Sequence, residues 1–330
     1  MGGKKKRRRV RRGRRTNPIR IAAAAVGAVL ACVVIVCAVV FVADFIIGKR
    51  GSDQAAKKPQ AGDRQEDGEE DGQEDRPVRE TGEDQSGREM EEQPDKTAAT
   101  VSIMGDSIST FQGYIPEGYY DFFPENGLVS DVDDTWWKRV LDEKGWTLCV
   151  NASSSGATCA GDSTGTDTPQ CGCNEYRTGG LGGPDGTMPD VIIVYMGTND
   201  LLQSIPLGDN DGTRAVPEGE VSLFGDAYTL MLDKVQAKYP SSRIYCCTIT
   251  QIGTFGTDTP FVEMVNGEGL TAADYSARIA QIAGNKNLPV IDLYTCGIAV
   301  ENLHNTTADG VHPTPEGMEY IAKAVGKVLD

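Results

Sequence analysis

The chain has 330 residues, 39% of them hydrophobic and 24% charged, with 39 glycines and a formal net charge of −16. That composition allows one or two ordinary domains and excludes a wholly disordered protein, a collagen and a bare coiled coil. Eleven of the 32 Lys and Arg fall in residues 1–20, which hold no acid, so the other 310 residues carry a net −27.

The basic run from Lys4 to Arg20 is followed by 23 uncharged positions, Ile21 to Ala43. A helix of that length spans about 34 Å, enough to cross a hydrocarbon core of ~30 Å. The basic flank resembles a nuclear-localisation or nucleic-acid patch, but its place before an apolar span favours the positive-inside reading, with the N-terminus cytoplasmic. The expected layout is a basic cytoplasmic tail at 1–20 and a single transmembrane helix at 21–47. A cleavable signal peptide is the rival, although its apolar region normally covers only about 7 to 15 residues. Val29-Leu30-Ala31-Cys32 also resembles a lipoprotein cleavage box, so cleavage and lipidation stay open. Cys32 and Cys37 otherwise read as small apolar residues of a membrane helix. Residues 48–97 are rich in Asp, Glu, Gln, Gly and Arg with almost no large apolar side chains. Such a segment has too little apolar area to offset the entropy of ordering, which predicts a disordered acidic stalk.

From Ala98 the composition turns globular. Apolar, β-branched runs at Val101–Met104, Thr147–Val150, Val191–Met196, Arg243–Thr248 and Val290–Tyr294 predict five strands. Helical patterns lie between them. Thr135–Lys144 stops at Gly145, Ser222–Tyr239 stops before Pro240, Thr271–Ala283 opens with Thr-x-x-Asp, and a last helix starts at Thr314-Pro315 and runs to Val328. Strands that are apolar throughout and alternate with helices indicate a parallel sheet covered on both faces. The prediction is an α/β fold: a three-layer α/β/α sandwich around a five-stranded parallel sheet. In such sheets ligands bind beyond the carboxyl ends of the strands.

Those ends carry the chemistry. Gly105-Asp106-Ser107 follows the first strand, Asn151-Ala152-Ser153-Ser154-Ser155-Gly156 the second and Gly197-Thr198-Asn199-Asp200 the third, while Asp309-Gly310-Val311-His312-Pro313 lies beyond the fifth. A neutral hydroxyl is a weak nucleophile and needs a base. The chain has only two histidines, and His312 has Asp309 three residues before it to fix its tautomer. Ser107 N–H, Gly156 N–H and the Asn199 amide can donate to the oxyanion formed when a carbonyl is attacked. His304 lacks the Asp-x-x-His spacing and reads as a loop residue or part of the pocket rim.

The four blocks G-D-S-I-S, N-A-S-S-S-G, G-T-N-D and D-G-V-H-P resemble those of the SGNH hydrolases, or GDSL esterases and lipases, over residues 98–330. The resemblance implies a flavodoxin-like strand order, with Ser107 as nucleophile, His312 as base, Asp309 as its partner, and Ser107, Gly156 and Asn199 around the oxyanion. It implies no metal and no organic cofactor. The reading is an extracytoplasmic serine esterase acting on O-acyl esters through an acyl-enzyme, with acylated glycans or lipids as candidate substrates. Within the same fold the alternatives are a lipase, a thioesterase or an acyltransferase; outside catalysis it is a silent glycan-binding module.

Other features are less specific. Tyr114, Tyr119, Tyr120, Phe122, Phe123, Trp136 and Trp137 follow the nucleophile; the tryptophans are expected to pack, and the tyrosines either pack or line a sugar or acyl site. Cys159, Cys171 and Cys173 suggest a disulfide from Cys159 to one of the other two, bracing the loop beside Gly156. Cys149, Cys246, Cys247 and Cys296 read as buried apolar residues. Asp209-Asn210-Asp211-Gly212 with Glu218 matches part of a calcium loop, but Pro217 interrupts it and a solvated acidic turn is expected. Residues 98–330 hold 12 Lys and Arg against 31 Asp and Glu, a balance that disfavours nucleic acid as a partner.

Overall fold

The computed structural model describes residues 98–124, 128–165, 169–257 and 260–329. The expected tail, membrane span and stalk lie outside the described residues. No helix among the described residues is long and apolar enough to cross a membrane.

Five parallel strands form the main sheet: β1 (Thr100–Gly105), β2 (Thr147–Asn151), β4 (Val191–Tyr195), β6 (Arg243–Cys247) and β7 (Val290–Ile291). They lie side by side in the order β2-β1-β4-β6-β7, so the chain reverses direction across the sheet beside β1, as in flavodoxin-like folds. Every residue of β4, Val-Ile-Ile-Val-Tyr, is buried. Because successive strand side chains point to opposite faces, burial of all five means that both faces are covered. Gly105 of β1 pairs with Tyr195 of β4, and Ile103 with Asn151 of β2. The loops that follow these three strands therefore leave one edge of the sheet at nearly the same height.

Two helix pairs cover the sheet. Helix α1 (Trp136–Lys144) packs on α7 (Pro315–Val328), and α4 (Phe224–Lys238) packs on α5 (Ala272–Asn285). Trp136, Trp137, Val140 and Leu141 form the buried stripe of α1. Thr135 caps that helix by accepting from Lys138 N–H, and Gly145 ends it in the left-handed region at φ 65°, which a residue without Cβ occupies at little cost. In α5 the Asp274 carboxylate accepts from both the N–H and the hydroxyl of Thr271, the contact that Thr-x-x-Asp predicts.

The differences from expectation are local. The fifth strand stops at Ile291 rather than Tyr294, because Leu293 and Tyr294 N–H donate to the Thr248 hydroxyl at 2.7 and 3.0 Å instead of to a neighbouring strand. Helix α5 continues past Gly284 to Asn285. A two-stranded antiparallel ribbon, β3 (Gly161–Asp162) with β5 (Glu220–Val221), the single-turn helices α2 (Glu175–Thr178), α3 (Thr198–Leu202) and α6 (Leu303–Thr306), and 3-10 turns at Ser107–Ser109, Val132–Asp134 and Val300–Asn302 complete the described elements.

Candidate active site

Ser107 opens a single 3-10 turn, Ser107–Ser109, immediately after β1. Asp106 caps the turn, its Oδ1 accepting from Ile108 N–H at 3.0 Å. Gly105 has to be glycine for space: a Cβ there would stand 2.7 Å from Ser109 Oγ and 2.8 Å from Ser153 Oγ. At the head of a helical turn an N–H has no acceptor within the turn, which leaves the Ser107 amide free to serve a ligand. Asn151, at the end of β2, locks the turn from the side by donating to Ser109 O at 2.8 Å.

The corner after α6 supplies the base. Asp309 Oδ1 accepts from Val311 N–H at 3.0 Å and His312 N–H at 2.8 Å, while its Oδ2 lies 2.7 Å from His312 Nδ1. His312 Nε2 lies 2.9 Å from Ser107 Oγ, 205 residues away in sequence. With Asp309 on Nδ1, the imidazole carries its proton there and offers the Nε2 lone pair to the hydroxyl. Burial by itself would raise the Asp309 carboxyl, but the hydrogen bond and charge of His312, with the two backbone N–H groups, bring it below the ordinary value. Phe122 stacks on the imidazole, ring centres 3.6 Å apart and planes 10° from parallel. Its own backbone N–H donates to Thr110 Oγ1, which in turn donates to Ser107 O.

Gly156 and Asn199 line the same cavity as Ser107 and His312, a recess of about 530 Å³. Gly156 has φ 78°, a backbone state that favours glycine. Asn199, in α3, donates one amide hydrogen to Ala157 O at 3.0 Å. An amide has two donors, so the second N–H remains for a ligand while the first pins the loop beside Gly156. All five residues singled out in the sequence, Ser107, Gly156, Asn199, Asp309 and His312, thus meet at one edge of the sheet. His304 does not join them; it is exposed on α6.

Three supporting residues escaped the sequence reading. Asp200 is fully buried and accepts from Cys159 N–H at 2.8 Å and Ala160 N–H at 3.2 Å. Burial pushes its carboxyl up to about 7, against the lowering effect of those amides. Asp106 is also fully buried; desolvation raises it to about 6 despite Ile108 N–H and the nearby charge of His312. Arg177 is wholly buried as well: its guanidinium donates to Gly105 O at 2.8 Å and to Pro169 O, under the ring of Tyr119. It joins the strand end before the nucleophile to the cysteine-bearing loop. The only sequence signal for these roles was an acid inside each of two motif blocks; Arg177 had none.

The expected disulfide from Cys159 is absent, and all seven cysteines among the described residues are free thiols. The closest sulfur pair is Cys171 with Cys173 at 3.4 Å. Cys171 and Cys173 turn toward each other, and the thiol of Cys159 faces the Asp200 carboxyl instead. Trp136 and Trp137 are buried as expected. Tyr114 and Tyr120 are exposed and do not line the cavity with Ser107. In the acidic turn Asp209 pairs with Arg214, Asp211 accepts from Thr213, and Glu218 pairs with Lys234. No cluster of three metal-binding side chains occurs among the described residues.

Residues 99–260 match the family model for GDSL-like lipases and acylhydrolases. Over that stretch the chain is of that family. Its fold is similar to that of a protein described as a GDSL-like lipase from Bacteroides ovatus, with 25% identity, 70% of this chain and 98% of that one covered, and a TM-score of 0.52. A second such protein, from Bacteroides uniformis, is 25% identical over 71% of this chain and 96% of its own, again with a TM-score of 0.52. A protein from Lactobacillus plantarum shares the fold at 21% identity and a TM-score of 0.53, covering 71% and 97% of the two chains. No curated protein matches the chain. The family match ends before Asp309 and His312, so the assignment of that corner rests on its geometry.

Proposed function

We propose that this hydrolase of the GDSL lipase and esterase family cleaves carboxylic O-acyl esters through an acyl-enzyme on Ser107. The observation that carries the reading is the continuous chain Asp309 Oδ2 to His312 Nδ1, then Nε2 to Ser107 Oγ, at 2.7 and 2.9 Å. As Ser107 Oγ attacks the ester carbonyl, His312 Nε2 takes its proton and Asp309 stabilises the imidazolium. The carbonyl oxygen becomes an oxyanion that accepts from Ser107 N–H, Gly156 N–H and the free hydrogen of the Asn199 amide, each such donor being worth about 3 to 4 kcal/mol in the transition state. The imidazolium then protonates the leaving alkoxide, and the alcohol departs. Water attacks the acyl-enzyme with His312 again as base, releasing the acid and regenerating Ser107.

The finer reading is removal of O-acyl groups from glycans or lipids outside the cytoplasm, with the domain held at the membrane by residues 21–47. The basic flank and the 23 uncharged positions support this placement; protease added to intact cells should release the domain and leave the N-terminus protected. The enzymatic reading is tested by a fluorophosphonate and by esters together. The reagent should label Ser107 in the wild type and leave Ser107→Ala unmodified, with ester hydrolysis lost in parallel. Hydrolysis by folded Ser107→Ala at the wild-type rate would remove the serine-esterase assignment.

A further inference from the structure

Away from the catalytic residues, one pair of nucleophilic groups lies close enough to react with each other. Cys171 and Cys173 hold their sulfurs 3.4 Å apart in the segment between β3 and α2. We propose that they form a peroxide-reactive dithiol, in which Cys171 is oxidised first and Cys173 resolves it to a disulfide that disturbs the neighbouring oxyanion loop.

The two sulfurs are not equivalent. Cys171 is 5% exposed and Cys173 wholly buried, so an oxidant as small as hydrogen peroxide meets Cys171 first. The Cys173 S–H, with the backbone N–H groups of Cys173 and Asn174 and the charge of Arg177, holds the Cys171 thiol below its ordinary value against the opposing effect of burial. The same contact and burial push Cys173 far up, which keeps it protonated as the donor. Thiolate character is what makes a cysteine nucleophilic. Cys159 takes no part: burial and the Asp200 carboxylate hold it as a thiol. Gly161 leaves room for the reacting sulfur, since a Cβ there would stand 3.0 Å from Cys171 Sγ.

The chemistry balances with one peroxide. Cys171 Sγ attacks a peroxide oxygen, the O–O bond breaks, and the departing hydroxide takes the thiol proton to become water, leaving Cys171 as a sulfenic acid. Cys173 Sγ then attacks the Cys171 sulfur, the S–O bond breaks, and the second hydroxide leaves as water with the Cys173 proton. Two thiols give up two electrons, and one peroxide is reduced to two waters.

The consequence for catalysis, which rests on the esterase reading, follows from what this segment holds. Thr158 N–H donates to Gln170 O at 2.9 Å, Gly172 N–H to Thr158 O at 2.7 Å and Cys173 N–H to Cys159 O at 3.1 Å. These bonds fasten the cysteine segment to the strand that begins two residues after Gly156. A disulfide needs sulfurs about 2.05 Å apart and a dihedral near 90°, so with only Gly172 between the cysteines the backbone that carries these bonds has to move. Arg177, which donates to both Pro169 O and Gly105 O, passes the same movement toward the Ser107 turn.

The test uses the full chain in the thiol state, treated with hydrogen peroxide. Peptide mapping without reductant should show Cys171 joined to Cys173 within one chain and Cys159 still a thiol. For p-nitrophenyl acetate kcat should fall about ten- to a hundredfold, as displaced donors would cause, with KM changed less than twofold, and dithiothreitol should restore it. In Cys173→Ser, which cannot resolve, dimedone should capture the sulfenic acid on Cys171; in Cys171→Ser it should mark nothing at Cys173. The mapping of the wild type needs no variant to fold. Peroxide that leaves both residues as thiols, or that carries Cys171 to higher acids without the bond, overturns the dithiol. A disulfide that leaves kcat unchanged overturns its effect on the oxyanion loop. So does a loss of kcat that persists in Cys171→Ser or resists dithiothreitol, which would place the damage elsewhere, as at Met264 in the cavity wall. Mapping requires no turnover, so a chain that forms the bond yet hydrolyses no ester supports the dithiol and removes the esterase reading.

Discussion

The Asp309–His312 corner and the loop that begins at Gly156 both serve the Ser107 cavity, but they are held in different ways. The corner is tied mainly within residues 307–312, where Asp309 accepts from two following amides, Gly310 N–H donates to Thr307 Oγ1, and Ala308 N–H donates to His312 O, with Gly253 and Gly256 N–H of the loop after β6 donating to Gly310 O and Asp309 O. The loop is tied from about 40 residues along the chain, by Asp200 to Cys159 and Ala160 and by Asn199 to Ala157, and from nearer by Arg177, which donates to Pro169 O. A corner whose side-chain contacts come from its own neighbours positions those side chains wherever the backbone is placed. A loop built from distant partners keeps its shape only while those partners are packed, so a change at Asp200 should reach the oxyanion donors without touching the Ser107–His312 pair, whereas Arg177, which also donates to Gly105 O, would disturb both.

Breaking the corner should have the largest effect. Ser107→Ala and His312→Ala should each lower kcat by several orders of magnitude, and the double variant should resemble either single one, because nucleophile and base act as a unit. Asp309→Asn should fold and yet lose about 10³ to 10⁴ in kcat, since the amide no longer holds the imidazole in the tautomer that presents Nε2. Single-turnover kinetics with a chromogenic ester measures all of these.

Breaking the loop should cost less. Asp200→Asn offers one carbonyl oxygen where a carboxylate met two N–H groups, and should lower kcat about ten- to a hundredfold by displacing the donors around Gly156. Fluorophosphonate labelling of Ser107 should survive, since the serine and its base are unaltered. A complete loss of labelling would show that the two regions are not separable.

A smaller effect, on stability, distinguishes the regions by pH. Asp106 and Asp200 have carboxyls raised to about 6 and about 7. The folded state therefore binds more protons than the unfolded chain between pH 4 and 7, and stability falls as pH rises through that window. Each group withdraws on the order of 3 kcal/mol once ionised. Asp309, lowered from its ordinary value, acts in the opposite sense: its contribution is present above about pH 4 and is lost as pH falls through its lowered value. Urea midpoints should accordingly be lower at pH 8 than at pH 5, and Asp106→Asn should flatten the difference. The smallest effect is expected from the thiols. A reducing agent should change kcat less than twofold, because the Cys171–Cys173 pair is already in the thiol state.

Much of this protein was legible from the order of its residues. The five apolar runs gave the strands, because a parallel sheet covered on both faces needs side chains that are apolar throughout. The Thr135 cap, the Gly145 stop and the Thr271–Asp274 contact depend on neighbours three or four residues apart, which a linear reading can see. The Asp309–His312 pair was legible for the same reason. Tertiary structure alone decided what depends on distant partners: that Arg177 reaches Gly105, that Asp200 holds Cys159, that Phe122 stacks on His312, and that Cys159 faces Asp200 instead of a second sulfur. No periodicity records such contacts, because packing brings together groups whose separation in the chain carries no information about their separation in space.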